Sequence, residues 1–223
     1  NKPVLLKIKG PVLLAANHPN SFLDSVILDT LFDQPVWSLA RGDVFKKPFY
    51  IKLLTALKIL PVYRTSEGVE NLSENYKTFE ACIEIFRKNG IITIFSEGKC
   101  INEWHLRPLK KGTARLALKT WEENIPLRIV PVGINYSSFR RFGKNIFLNF
   151  GNSMSKTDFK QNEPDGLQHQ AFNNRLQLEL AALVIEIPKS DKQQQKLKLE
   201  IRPSFAKKIL LAVPAAIGWL VHA

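Results

Sequence analysis

Apolar and polar positions along the chain follow two spacings in turn, and these predict strands and helices in alternation. Short continuous apolar runs are typical of buried strands, whereas apolar residues recurring every three or four positions are typical of helices. Strands are predicted at residues 12–16, 35–40, 59–63, 91–95, 128–136 and 145–151. Helices are predicted at residues 21–32, 47–60, 69–88 and 112–121. Strands separated by helices predict an α/β fold with a largely parallel or mixed sheet flanked by helices.

The clearest helical spacing lies between Val69 and Lys88, and Asn89-Gly90 supplies a stop after it. The helix after the first strand has the same kind of spacing. Its apolar positions are Phe22, Val26, Ile27 and Leu31, and those of the longer helix are Val69, Leu72, Tyr76, Phe79, Ile83 and Phe86.

With 223 residues and 45% hydrophobic content, the chain is long enough for one sizeable core, and we expect a single domain. Residues 1–160 are predicted to form the catalytic core and 161–202 a helical, polar extension of the same domain. Residues 203–223 form an apolar tail. Because the chain opens on Asn1 and only 17 residues precede His18, we expect it to be a piece of a longer protein.

Charge and cysteine content narrow the choice of partner and compartment. The 32 Lys and Arg residues against 20 Asp and Glu give a net charge of +12, which suits an anionic partner such as nucleic acid, a membrane surface or a phosphorylated small molecule. Two cysteines, Cys82 and Cys100, provide no disulfide framework and match no zinc or haem spacing. We therefore expect a reducing compartment and no metal.

Polar residues follow four of the predicted strands, where α/β sheets bind their ligands. Each position has a simpler alternative. Ser21-Phe-Leu-Asp24 fits a helix capping box, His18 could be a hydrogen-bonded residue at a strand end, and Arg64 a solvated loop residue. Their coincidence at one edge favours a shared site. The strand-end residues are Asn17 and His18, Arg41 and Asp43, Arg64, and Ser96 to Lys99.

These side chains suit acyl transfer to a hydroxyl without a covalent enzyme intermediate. The G-x-S-x-G signature of serine hydrolases is absent, because Ile94 stands two residues before Ser96. Cys100 as a nucleophile has no support beyond its proximity. A histidine can take a proton from an alcohol while a nearby carboxylate orients the imidazole and stabilises the imidazolium. A thioester donor needs no covalent relay, because thiolates leave readily.

The same residues resemble the sequence motifs of the glycerolipid acyltransferase family, which includes glycerol-3-phosphate and lysophosphatidic acid acyltransferases. "NHPNSFLD" is similar to its H-x4-D block, "ILPVYR" to its G-x-x-F-x-x-R block and "FSEGK" to its F-P-E-G-T-R block. "IVPVGINY", "LKKGTARLAL" and "IFLNFGNSM" are similar to further stretches. The resemblance runs in the family's order from Val12 to about Ser155 and implies a glycerol-3-phosphate acyltransferase-like fold.

The resemblance implies that His18 is the general base and that Asp24 orients it. It further implies that Arg64 binds the acceptor's phosphate and that Glu97 and Gly98 shape the acceptor site. Lys99, Asn20 and Arg41 complete the candidate substrate-binding set.

Three departures from the family's pattern bear on the acceptor. Five residues separate His18 from Asp24 instead of four, which a turn can absorb. The second block keeps only Arg64, with Lys58 and Pro61 at its glycine and phenylalanine positions. In the third block Ser96, Lys99 and Cys100 replace proline, threonine and arginine.

The sequence and the resemblance together predict transfer of a fatty acyl group from acyl-CoA or acyl carrier protein to lysophosphatidic acid, in phospholipid biosynthesis. The alternative acceptors are glycerol 3-phosphate and other lyso-lipids. No cofactor is expected beyond the acyl donor. A membrane-surface module without catalysis is a remote alternative. A nucleic-acid-binding protein is disfavoured, because the aromatic residues fall at core-like spacings instead of between basic residues.

We expect the protein to associate with an anionic membrane surface on the cytoplasmic face, without a span inside this chain. "FKKPFYIKLLTALKIL" combines lysines with many apolar residues, and its alternative is a core helix with a solvated lysine face. The tail from Ile209 has 15 residues, fewer than the ~20 that a spanning helix needs. It could lie in the interface with Trp219 at headgroup depth.

Overall fold

Six strands form one sheet in the computed structural model, which describes residues 9–45, 47–63, 72–141, 143–160, 163–199 and 205–222. The sheet order is β3-β2-β4-β1-β5-β6, and all neighbours are parallel except the antiparallel pair β5 and β6. The predicted α/β class with a largely parallel or mixed sheet is confirmed. The strands are β1 Val12–Ala16, β2 Val36–Arg41, β3 Ile59–Val62, β4 Ile91–Phe95, β5 Arg128–Tyr136 and β6 Ile146–Phe150.

The first four helices lie close to the predicted positions, and three more follow them within the described residues. They are α1 Phe22–Asp29, α2 Pro48–Ala56, α3 Leu72–Arg87, α4 Gly112–Glu122, α5 Asp165–Ala181, α6 Lys192–Leu199 and α7 Phe205–His222. The predicted stop after the longest periodic stretch is confirmed. Asn89 takes a left-handed φ of 57°, and the amide of Gly90 donates to the carbonyl of Ile85 at 2.9 Å, which closes the end of α3. Residues 69–71 of that predicted helix lie outside the described residues.

Two hydrophobic clusters cover the two faces of the sheet, and β1 contributes to both. Leu13 and Ala15 join a larger cluster with α3, α4 and α5, whereas Leu14 and Ala16 join a smaller one with Leu28 of α1. Burial on both faces explains why β1 is a continuous apolar run. Because β1 lies between β4 and β5, the residues after β1 have neighbours on both sides.

Helical spacing did not place every apolar residue in the core. In α1, Phe22 is 63% exposed and Val26 is 37% exposed, while Leu28 is buried. In α3, Tyr76 is 70% exposed although Ile83 and Phe86 are buried. The helix after β1 also ends at Asp29 instead of residue 32.

Helix α2 has no buried residue, so the interpretation of this stretch as a core helix is wrong. Its apolar side chains face outward, with Phe49 exposed by 70%. Most described apolar positions of helix α7 in the tail are likewise exposed. No helix within the described ranges combines the length and apolar character needed to cross a bilayer.

Candidate active site

His18 and Asp24 meet at the carboxyl end of β1, as the sequence predicts. His18 follows the strand by two residues, and the turn over Pro19 to Ser21 leads into α1, whose third residue is Asp24. The imidazole Nδ1 of His18 lies 2.9 Å from Oδ2 of Asp24. The extra residue between the two is therefore absorbed in the turn before the helix, and the pair forms despite the longer spacing.

Asp24 is fully buried, and three donors surround its carboxylate. Oδ2 accepts from the amide of Asn20 at 2.8 Å besides its contact with His18, and Oδ1 accepts from the hydroxyl of Tyr136 at 2.7 Å. A buried carboxylate is strongly destabilising unless hydrogen bonds compensate for its lost hydration. These donors keep Asp24 in one orientation, with one oxygen directed at the imidazole.

The capping-box alternative for Ser21 and Asp24 is only partly met. Ser21 precedes α1, but its side chain makes no capping hydrogen bond, and its backbone amide donates to Sγ of Cys100 at 3.0 Å. Asp24 does accept one backbone amide, that of Asn20, while its other partners are the side chains of His18 and Tyr136. Most hydrogen bonds of the Asp24 carboxylate are therefore with the candidate base His18 and with Tyr136 on the neighbouring strand β5.

The ring of His18 is fixed from its face as well as from its edge. It stacks on Phe95, the last residue of β4, with ring centroids 3.9 Å apart and an angle of 14° between the planes. The side chain of His18 remains 17% exposed. Within the described ranges its second ring nitrogen, Nε2, makes no hydrogen bond, so this nitrogen is the one that can act on a substrate.

Glu97 joins the end of β4 to the end of β1. Its Oε2 accepts from the backbone amide of His18 and its Oε1 from the amide of Arg107, each at 2.8 Å. Glu97 is 4% exposed, and burial raises the pKa of its carboxyl group, an effect that the two amide hydrogen bonds partly offset. The predicted proximity of His18 and Glu97 is confirmed. Both carboxylate oxygens of Glu97 accept hydrogen bonds from backbone amides.

The remaining predicted site residues differ in their surroundings. Gly98 adopts a left-handed φ of 66° next to the side chain of Lys110, which favours glycine there. Lys99 is exposed, and Arg41 is an exposed residue at the end of β2 that pairs with Asp43. Asn20 also donates through its side chain to the carbonyl of Phe139 at 3.4 Å. Arg64 lies outside the described residues.

Sequence reasoning missed Tyr136 and Lys144 at this site, although it did place Asn17 at the end of the first strand. Tyr136, the last residue of β5, and Asn17, which pairs with both backbone groups of Ile134, connect the end of β1 to β5. Lys144 lies beyond them, with Nζ 5.6 Å from the ring centroid of Tyr136, and burial lowers the pKa of this lysine. The available signal was the position of Tyr136 at a strand end, which is where α/β sheets carry their ligand-binding residues.

Ser96 and Cys100 do not have the environment of activated nucleophiles. Ser96 is 2% exposed, and its hydroxyl accepts from that of Thr113 at 3.0 Å. Burial raises the pKa of the Cys100 thiol, and the nearby Asp24 and Glu97 carboxylates add to this, so less of the reactive thiolate forms. Among the described residues, no three His, Cys, Asp or Glu side chains gather as a metal site requires.

Comparisons with known proteins agree with the motifs. A family model described as Acyltransferase matches residues 2–135, more than half of the chain. The 1-acyl-sn-glycerol-3-phosphate acyltransferase of Borreliella burgdorferi is 28% identical over 146 residues, which cover 66% of this chain and 54% of that protein. This chain therefore spans about half the length of that relative.

Among solved structures, this chain is similar to the 1-acyl-sn-glycerophosphate (LPA) acyltransferase PlsC from Thermotoga maritima. The TM-score is 0.49 at 16% sequence identity, over 79% of this chain and 69% of that one.

The match of the family model includes His18, Asp24 and Glu97, and it ends one residue before Tyr136. The resemblance predicted from the motifs is confirmed, and the chain belongs to the acyltransferase family.

Proposed function

We propose that this protein transfers a fatty acyl group from a thioester, acyl-CoA or acyl carrier protein, to the free hydroxyl of lysophosphatidic acid. Glycerol 3-phosphate or another lyso-lipid is the second choice of acceptor. The observation that carries the proposal is the 2.9 Å contact between Nδ1 of His18 and the buried carboxylate of Asp24, which leaves Nε2 for the acceptor.

In this mechanism, Nε2 of His18 takes the proton of the acceptor hydroxyl as its oxygen attacks the thioester carbonyl carbon. The carbon–sulfur bond then breaks, and the proton passes from the imidazolium to the leaving thiolate. Asp24 stabilises the imidazolium through Nδ1 and does not itself need to be protonated. The buried hydroxyl of Ser96 and the raised pKa of Cys100 favour direct transfer over a covalent acyl-enzyme.

An assay with a labelled long-chain acyl thioester and a panel of acceptors tests this proposal. The panel contains lysophosphatidic acid, glycerol 3-phosphate and a neutral lyso-lipid, each with the wild-type chain and with His18→Ala. We expect a labelled ester product from lysophosphatidic acid that depends on His18. Absence of transfer to every acceptor, with vesicle binding retained, would favour the non-catalytic membrane module instead.

Arg64 is proposed to bind the acceptor's phosphate, with Lys99 as the next candidate cation. A guanidinium can bind phosphate through two parallel hydrogen bonds, which an ammonium cannot do, so Arg64→Lys should already weaken use of the acceptor. The test compares a phosphate-bearing acceptor with its dephosphorylated counterpart. Arg64→Ala should impair only the first, and equal losses for both would reject the assignment.

The reaction is proposed to take place at an anionic membrane surface on the cytoplasmic face. Helix α2 supports this, because it exposes apolar side chains without burying any and has lysines beside them. The exposed apolar residues of α7 are a second candidate contact. Basic residues near anionic lipid contribute ~1 kcal/mol each, so binding should be reversible and salt-sensitive. Co-sedimentation with anionic vesicles at low and high salt measures this directly.

A further inference from the structure

Tyr136 contacts Oδ1 of Asp24, the carboxylate oxygen that does not contact His18. Its hydroxyl donates to Oδ1 at 2.7 Å, while Oδ2 accepts from His18 and from the amide of Asn20. Both Tyr136 and Asp24 are 0% exposed. Because water does not reach either side chain, the tyrosine hydroxyl is the donor on which Oδ1 depends.

The tyrosine itself is held in place by its surroundings. The indole of Trp104 donates to the backbone carbonyl of Tyr136 at 2.6 Å, and the ring of Phe139 lies 6.2 Å from the tyrosine ring between centroids. Burial, followed by the negative charge of Asp24, raises the pKa of Tyr136 well above its usual range. The phenol therefore stays protonated and acts as a donor throughout the working pH range.

We propose that Tyr136 is a positioning residue for acyl transfer, which fixes the rotation of Asp24 and limits how strongly that carboxylate attracts the imidazolium of His18. The inference rests on the proposed function of His18 as the base. A carboxylate can rotate about its carbon–carbon bond, and the hydroxyl on Oδ1 keeps Oδ2 toward Nδ1. A hydrogen bond to Oδ1 also takes up part of the negative charge, which weakens the attraction between Oδ2 and a protonated imidazole.

Other charged and titratable groups face the same pair. Glu97 approaches His18 from the end of β4, with Arg107 on its other oxygen, and the thiol of Cys100 lies next to the turn before α1. Lys144 approaches from the connection between β5 and β6, where its ammonium interacts with Asp24 through space. Tyr136→Phe leaves all of these groups in place. A change in the titration of His18 would therefore report on the loss of the Tyr136 hydroxyl.

The experiment is an NMR titration of the histidine ring signals in the wild-type chain and in Tyr136→Phe, without substrate. The chain has four histidines, and His18 is assigned by its loss in His18→Gln. Removing the hydroxyl concentrates charge on Oδ2, so the midpoint of the His18 titration should move to higher pH than in the wild type. His105, which pairs with Glu186 at 2.7 Å, should not move.

Activity measurements give a second readout. In Tyr136→Phe the acid limb of the pH profile of kcat/KM should move upward by the same amount, and kcat should fall by about tenfold with KM unchanged. The matched control is Thr120→Val, which removes another buried hydrogen bond, from the threonine hydroxyl to the carbonyl of Leu116 at 2.7 Å. It should leave both the titration and the pH profile as in the wild type.

Should Tyr136→Phe fail to fold, 3-fluorotyrosine at position 136 keeps the ring and makes the hydroxyl a stronger donor. The His18 midpoint should then fall instead of rise. A midpoint that stays constant or moves against these directions would overturn the inference, as would equal shifts in Thr120→Val. Absence of acyl transfer by the wild-type chain would reject the proposed function alone, because the titration needs no turnover.

Discussion

Two regions of the molecule differ in the kind of side chain that they bury or expose. One is the cluster around Asp24, and the other is helix α2. In the cluster, formed by His18, Asp24, Glu97 and Tyr136, the two carboxylates and the phenol are buried and hydrogen-bonded, and His18 is hydrogen-bonded through Nδ1. Helix α2 instead leaves apolar groups in contact with solvent and buries none of its residues. In the cluster, hydrogen bonds compensate for the hydration that burial removes, whereas the exposed apolar groups of α2 lack the stabilisation that burial would give.

The difference teaches what each region contributes. A buried, hydrogen-bonded carboxylate next to a partly exposed histidine fixes the geometry of proton transfer. An exposed apolar face flanked by lysines gains stability only when it meets another apolar and anionic surface. One region therefore fits the chemistry of acyl transfer, and the other fits the place where lipid acceptors are found.

The largest expected effect comes from removing the base. His18→Ala should lower kcat by about 10²- to 10⁴-fold, which is the usual contribution of a general base. The KM for the acceptor should change far less, since the imidazole acts mainly in the transition state. Steady-state kinetics measures both constants, and circular dichroism checks the fold. A variant with near-wild-type kcat would remove the cluster from the chemistry.

Asp24→Asn should lower kcat by a similar or somewhat smaller factor, because in the proposed mechanism the carboxylate orients His18 and stabilises its imidazolium. An amide can accept at only one of its two ends, so a hydrogen bond from Tyr136 or from the His18 side is also lost. Activity is therefore expressed per folded molecule, from a thermal melt of the same sample. A lower Tm with unchanged activity per folded molecule would favour the capping role.

The paired substitution Phe49→Ser and Leu53→Ser in α2 should weaken binding to anionic vesicles by roughly tenfold or more, because it removes apolar area available for insertion. The melting temperature should stay close to that of the wild type, since neither side chain is buried. The matched control is the pair Leu167→Ser and Leu178→Ser in α5, at positions that are 52% and 69% exposed. Equal vesicle binding by all three proteins would show that α2 does not dock.

The smallest effects concern the two cysteines. Cys100 lies next to the cluster around Asp24, and Cys82 lies in the hydrophobic core. Burial raises the pKa of Cys82 to about 12, so its thiol should remain unlabelled by iodoacetamide in the native protein. Burial also raises the pKa of Cys100, so labelling should be slower than that of a free thiol at pH 8 and should accelerate as the pH rises. Mass spectrometry of timed samples measures both rates. Rapid labelling of Cys100 at neutral pH would contradict the raised pKa of this partly buried thiol.

Local pattern was sufficient for most of the fold. Strand β1 is buried on both faces and is therefore a continuous apolar run. Helix α3 is buried on one face, so its apolar residues recur every three or four positions. The pair of His18 and Asp24 was accessible for the same reason, because only a turn separates the two residues. Local spacing failed at Phe22, Val26 and Tyr76, because periodicity shows that a helix has an apolar face and not whether another element covers all of it.

Contacts between distant segments were decided only by the tertiary structure. Tyr136 lies 112 residues from Asp24, and Arg107 donates to Glu97 from an irregular segment that carries no periodic signal. These contacts depend on the strand order, which places β1 between β4 and β5. The sequence by itself thus determined the elements, the family and the candidate base. The donors that hold Asp24 and His18 in place followed from packing, because hydrogen bonds between separate strands depend on which strands become neighbours.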